Sequence, residues 1–237
     1  MMKLWPVIEE KLCCVPHPFV SVTGGGGKTT FLISFGEYLK SKGYSVLLTT
    51  STKLGSREEE NYKVDYFFTK DDELLSHTVQ KGESILFAHE SSVPGKLVSP
   101  GEEIIKEVTS LFDWTIVEAD GSMHLPLKYH SQRDPIIWRD TTSVVSLIGL
   151  WAIGKKSRDV SFGDERDILV DYRYMNEYLC DKEGACKGMR DDTKNIILFN
   201  GFDSFSDNID EIKSLNIRKG ISSYIVSEEK GELYYAF

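Results

Sequence analysis

The chain has 237 residues, 41% of them hydrophobic and 27% charged, which is enough for one large α/β unit with its own core. A formal net charge of −9 argues against a nucleic-acid partner, which needs a basic face, although it leaves room for a local basic pocket. No apolar run approaches the ~20 residues of a membrane span, and four cysteines without zinc-type spacing point to free thiols, so a cytoplasmic protein is expected.

"FVSV" (19–22) reads as the first strand, and the segment from Lys28 to about Lys42 as the helix after it, since Phe31, Leu32, Phe35 and Leu39 recur at helical spacing. "SVLLTT" (45–50) is a second buried strand. The helical-looking "DDELLSHTVQ" leads to a third, "SILFAHE" (84–90). "PGEEIIKEVTSLF" (100–112) is expected as a helix with acidic residues in its first turn. Four more strands follow at "WTIVEA" (114–119), "SVVSLIGL" (143–150), "NIILFN" (195–200) and "SYIVS" (223–227). The stretches 164–180 and 207–215 are expected as helices between the last three. Such alternation predicts a three-layer fold, with a mainly parallel sheet covered by helices on both faces. No repeat or linker divides the chain, so one domain is expected over 1–237, with a small insertion or lid around 62–100.

The chemistry concentrates in "SVTGGGGKTTF" (21–31), four glycines between a strand and a helix. Its spacing departs from G-x-x-x-x-G-K-[ST], because the first glycine of that pattern falls on Val22. The physics of a phosphate loop is nevertheless present. Glycines let backbone N–H groups approach phosphate oxygens, and the helix N-terminus presents its partial positive charge. Gly24, Gly25, Gly26, Gly27, Lys28, Thr29 and Thr30 are therefore candidate nucleotide-binding residues for ATP or GTP. Lys28 would bridge the outer phosphates and Thr29 would hold Mg²⁺. The loop resembles the phosphate loops of ParA-like ATPases and of Mur-type amide ligases, but Thr23 stands where the former carry an additional lysine.

A phosphate loop needs an acidic partner at the end of a neighbouring strand, and "WTIVEADGS" supplies Glu118 and Asp120 as candidates for metal binding or catalysis. Two residues apart, they share a face while the strand persists. "LLTTSTKLGS" offers Thr50, Thr52 and Lys53 for a substrate anion and no carboxylate to position a water, so fast unaided hydrolysis is not expected. "NIILFNGFDSF" places Asn200 and Asp203 with the spacing of the N-K-x-D motif of GTPases, with Gly201 in place of the lysine. "YIVSEEKG" (224–231) resembles the final base-contacting loop of such proteins.

Together, "VTGGGGKTTFL", "LLTTSTKL", "PGKLVSPGE", "VEADGSMHLPLKYH" and "SLIGLWAIGK" resemble the YqeC family. The resemblance implies a P-loop NTPase-like accessory protein for selenium-dependent molybdenum hydroxylases, with Gly24 to Thr30, Thr49 to Lys53, Glu118, Asp120, Gly121 and Lys128 as its site. The family's short His-Arg-Pro-like segment after "GLWAIGKK" is absent, and Arg158 and Arg166 stand in that region without a histidine. His124 and Lys128, with His130, form a basic cluster suited to an anionic selenium or molybdopterin species. The leading expectation is a Mg²⁺-dependent nucleotide-binding protein acting as a slow NTPase or phosphate-group enzyme, with a molybdenum hydroxylase as partner. Two alternatives stand beside it: a Mur-ligase-like ATP-dependent carboxylate-activating enzyme, and a non-catalytic nucleotide-gated chaperone or carrier.

Overall fold

The structure is a computed structural model that describes residues 2–57, 60–204 and 209–237. In chain order the strands and α-helices are β1 (Met2–Lys3), α1 (Leu4–Leu12), β2 (Phe19–Gly24), α2 (Lys28–Ser41), β3 (Val46–Thr50), β4 (Lys53–Gly55), β5 (Tyr66–Phe68) and α3 (Asp71–Leu75). They continue with β6 (Ser84–Phe87), β7 (His89–Glu90), β8 (Lys96–Val98), α4 (Glu102–Val108), β9 (Trp114–Glu118), β10 (Leu127–Lys128), β11 (Ser143–Gly149), α5 (Ser157–Val160) and β12 (Ser161–Phe162). The last are α6 (Tyr172–Cys180), β13 (Lys194–Asn200), α7 (Ile209–Lys213), β14 (Ile221–Ser227) and β15 (Glu232–Ala236).

Ten strands form one sheet in the order β1-β15-β14-β13-β11-β2-β9-β3-β6-β5. Every pair from β14 to β5 is parallel, while β15 is antiparallel to β14 and β1 to β15. The molecule is thus an α/β fold on a large, mostly parallel mixed sheet. Strand side chains alternate between its faces. Val20, Val22, Val46, Leu48, Val145, Leu147, Ile196 and Leu198 pack with Leu4, Ile8 and Leu12 of α1 and Phe31, Phe35 and Leu39 of α2. On the opposite face, Val144, Ile148, Ile197 and Phe199 meet Tyr174, Met175 and Tyr178 of α6 and Ile212 of α7. Phe19, Leu47, Ile85 and Val117 meet Leu74 of α3 and Ile105 and Val108 of α4 on that second side. Helices cover both faces, as the alternation requires.

The expected helix over 164–180 begins only at Tyr172. Residues before it run back along 154–157, with Gly154 N–H donating to Val170 O, Val170 N–H to Lys155 O and Ser157 N–H to Ile168 O. Asp171 then caps α6 by accepting from Tyr174 N–H at 2.8 Å. The expected helix in 71–80 ends at Leu75, and "SILFAHE" splits. Its first four residues lie in the main sheet, and His89–Glu90 turns away to form a three-stranded sheet in the order β4-β8-β7. Of the segment 62–100, β5 and β6 extend the main sheet, and only β7 and β8 join this smaller one. The first two residues of the helix expected at 207–215 lie outside the described residues. Among the described residues no helix is long and apolar enough to cross a membrane.

Candidate functional site

Because β2, β9, β11, β13 and β14 are parallel, the turns after their C-terminal ends gather at one edge of the sheet, the usual ligand position in open α/β folds. A cleft of about 760 Å³ lies there. Gly26 to Thr30 form its floor, and Glu118 with Gly121 to His124 form one wall. Lys53 to Gly55, Glu60, Val93 and Lys96 form the rim, and Trp151, Asn200, Gly201, Asp203 and Ser227 to Glu229 form the far end.

The glycine loop is held by the protein before any ligand is considered. Gly24 N–H donates to Asp120 Oδ2 at 2.8 Å, Gly25 N–H to Leu147 O at 3.0 Å and Gly26 N–H to Leu125 O at 3.1 Å. Gly24 and Gly25 therefore anchor the loop and do not line the cleft, which corrects their expected role as phosphate contacts. Side chains have no room here. A Cβ on Gly25 would lie 2.5 Å from Leu125 O and 2.6 Å from Pro126 C, and one on Gly26, whose φ is +80°, 2.5 Å from Gly149 N. The N–H groups of Lys28, Thr29 and Thr30 open α2, so they lack intrahelical acceptors.

Lys28 is buried. Its Nζ donates to Gly24 O at 2.6 Å and to Ser122 Oγ at 2.9 Å, and lies 3.1 Å from Asp120 Oδ1 as an ion pair outside hydrogen-bond geometry. Asp120 also receives His130 Nε2 at 2.7 Å, while Nδ1 of that ring faces the carbonyls of Glu183 and Gly184. Burial works against the charge on Asp120, but Lys28, His130 and the Gly24 N–H overcome it and hold the carboxyl below its usual range. The strand ends at Glu118, so the face shared by Glu118 and Asp120 is lost there. Asp120 points beneath the loop, away from the cleft, and its expected metal and catalytic roles become that of a positioning residue.

Glu118 does face the cleft. Thr29 Oγ1 donates to its Oε2 at 3.1 Å, and β9 lies directly beside β2, with Val22 opposite Glu118. Burial pushes this carboxyl up to about 7, against the opposing pull of Lys28 and the Thr29 hydroxyl. Among the described residues no group of three or more His, Cys, Asp or Glu side chains could hold a metal alone. Mg²⁺ typically uses one or two carboxylates together with phosphate oxygens and water. Thr29 and Glu118 fit that need.

The remaining candidates separate by depth. Lys53 and His124 are exposed on the cleft, the latter at a φ of 62°. Thr50 donates to Glu118 O at 2.9 Å and accepts from Thr52 N–H at 3.0 Å, so this pair shapes the turn after β3 and does not line the cleft. Lys128 is buried away from it, ion-paired to Asp134 Oδ2 at 2.5 Å and 4.1 Å from the centre of the Phe162 ring. It is a core cation and is not available to an anionic substrate. Asn200 is fully occupied: Nδ2 donates to Gly26 O at 2.9 Å and Glu228 Oε2 at 2.7 Å, while Oδ1 accepts from the N–H groups of Gly201 and Glu228. It braces the glycine loop against β14, and the expected base contact is not left to it. Asp203 remains on the cleft wall.

Sequence reasoning missed Trp151 and Glu228. Trp151 lies in the quoted "SLIGLWAIGK" and Glu228 in the stretch compared to a base-contacting loop, but nothing local marks either side chain as facing the cleft. Glu228 is buried beside Gly27, and burial raises its carboxyl well above the usual range.

Fold and site together define an α/β protein whose glycine-rich strand–helix turn opens, with an adjacent buried acid, into a deep cleft. A family model described as YqeC protein matches residues 20–162. The chain belongs to the YqeC family. It is 30% identical over 140 residues to "Uncharacterized protein YqeC" of Escherichia coli (strain K12), which covers 58% of this chain and 54% of that protein. The chain thus spans about half the length of that curated relative. No solved structure gives a significant match. The matched region contains the floor and the acidic wall and stops before Asn200, Asp203 and Glu228.

Proposed function

We propose that this chain is a P-loop nucleotide-binding protein that takes Mg²⁺ with ATP or GTP on the floor of the cleft. The observation that carries this is the joint placement of Lys28 and Thr29 at the start of α2 with Glu118 at the end of the adjoining strand, all lining one cleft. The unpaired N–H groups at the start of α2 and its macrodipole favour an anion there. The volume suits a nucleotide-sized ligand. Phosphates approach from the side of Gly27 to Thr30, since the earlier N–H groups are already used. Lys28 then exchanges Ser122 and Gly24 O for a phosphate oxygen while it stays beside Asp120. Mg²⁺ held by Thr29 and Glu118 would neutralise charge on the outer phosphates.

Turnover by the chain alone is slow in this proposal, because the described residues of the turn after β3 carry no carboxylate to position a water. Lys53 and His124 on the rim suit a second anionic ligand. Following the family resemblance, we assign the activity to maturation of selenium-dependent molybdenum hydroxylases, with an anionic selenium or molybdopterin species as the second ligand. The test is calorimetric titration of parent and Lys28→Ala with Mg-ATP, Mg-GTP and the nucleosides. Triphosphate affinity should fall at least tenfold in the variant and nucleoside affinity should not change. Identical triphosphate curves would remove the assignment.

A further inference from the structure

The far end of the cleft has features that phosphate binding does not use. Trp151 follows β11, and its ring lies against two glycines on neighbouring strand ends. A Cβ on Gly201, whose φ is +83°, would sit 2.6 Å from Trp151 Cε3 and 2.8 Å from Cζ3, and one on Gly149 would sit 2.9 Å from Cζ2. Any side chain at either position would displace the ring. The two glycines therefore let the ring pack closely over the ends of two strands, where Trp151 lines the cleft wall.

Asp203 lies on the same wall with its side chain 10% exposed, and Lys230 Nζ is 3.4 Å from Oδ2. Burial opposes its charge, but a Ser227 hydroxyl hydrogen bond and Lys230 keep the carboxyl below its usual range, so it accepts hydrogen bonds and donates none. Between this wall and the floor, Glu228 Oε1 is buried without a hydrogen-bond partner, while Oε2 is taken by Asn200. An unsatisfied buried polar atom at a cleft wall is costly unless a ligand meets it. These three features lie at the end of the cleft away from Lys53.

We propose that this end selects a purine base whose edge presents two adjacent N–H donors, the guanine class, stacked on Trp151 and read by Asp203. Guanine offers a ring N–H beside an exocyclic amino group, and both match a carboxylate. Adenine offers an amino group beside an unprotonated ring nitrogen, which sets an acceptor against an acceptor. Sites that pair a substrate donor reject analogues lacking it much more strongly than apolar pockets reject a missing methylene. The inference rests on the nucleotide proposal and narrows it.

The experiment titrates the full chain with the Mg²⁺ complexes of GTP, ITP, XTP and ATP. GTP should bind at least tenfold more tightly than ATP, with ITP, which lacks the exocyclic amino group, between them. Asp203→Asn replaces one acceptor with a donor, so it should lose the GTP preference and bind XTP at least tenfold better than the parent does. That gain cannot come from misfolding. Trp151→Ala should weaken all four about tenfold and preserve their order. Equal, Lys28-sensitive affinity for ATP and GTP, or a GTP preference retained in Asp203→Asn, would overturn the base assignment and leave the nucleotide proposal standing. No binding of any triphosphate would end both.

Discussion

Glu118 and Lys28 both line the cleft, yet their environments set opposite chemistry. Lys28 is paired with a carboxyl held ionised, whereas Glu118 is buried and pushed up to about 7 from a usual 4.5. The folded chain therefore holds a proton on Glu118 over a range in which the unfolded chain has released it. Raising the pH from about 4.5 to about 7 should cost stability, up to about 3 kcal/mol from this group, with no further loss above its folded value. Glu228 acts in the same direction. Mg²⁺ needs the carboxylate form, so Mg²⁺-dependent affinity for nucleotide should rise with pH up to about 7 and level off above it. Titrations across pH 5.5 to 8.5 read this directly. Glu118→Gln should abolish the pH dependence and most of the Mg²⁺ dependence; a pH profile unchanged in that variant would take Glu118 out of the site.

At the level of elements, the turn between β2 and α2 is fixed by the segments beneath it and does not swing freely. Gly25→Ala would drive a methyl into the Leu125 and Pro126 backbone, which cannot yield as a flexible side chain does. A loss of about 1–3 kcal/mol in urea denaturation is expected, together with weaker nucleotide binding. Asp120→Asn separates the two acids. It breaks the contact that holds Lys28, Gly24 N–H and His130, so it should cost about 3 kcal/mol of stability, while Glu118→Gln should cost little at neutral pH. The strand β10 poses a similar contrast. Lys128→Met leaves Asp134 without its cation and should cost about 3 kcal/mol, yet leave nucleotide affinity within twofold of the parent. A large loss of affinity with unchanged stability would return Lys128 to the binding surface.

For the whole molecule, the cleft joins turns that follow six parallel strands, β2, β3, β9, β11, β13 and β14, so a ligand that spans it ties both halves of the sheet together. A nucleotide at a hundred times its dissociation constant should add about 2.7 kcal/mol to folding stability. In a chain of this size that corresponds to a rise in Tm of roughly 5–10 °C. Lys28→Ala should lose most of the shift at the same concentration. Thermal denaturation with and without Mg-nucleotide checks it, and a parent Tm that ignores saturating Mg-GTP and Mg-ATP would contradict the proposed function.

The sequence by itself determined the layered α/β fold and the candidate floor, because both rest on local signals. Buried strands read as short β-branched runs, α2 as a helical stripe headed by glycines, and Glu118 as a carboxylate near the end of a strand. Its limits lay where a side chain's partner is distant in the chain. Asn200 meets Gly26 across 174 positions and Asp120 meets Gly24 across 96, and no spacing rule sees either contact. "SMHLPLKYH" looks like a basic surface loop, but Lys128 pairs with Asp134 and His130 with Asp120 in the interior. Charged residues close together in sequence are easily read as one cluster, whereas a protein interior admits each charge only opposite a partner. Only the tertiary structure could decide which charges turned inward to hold the loop, and which of them, with the ring of Trp151 on its two glycines, were left to line the cleft.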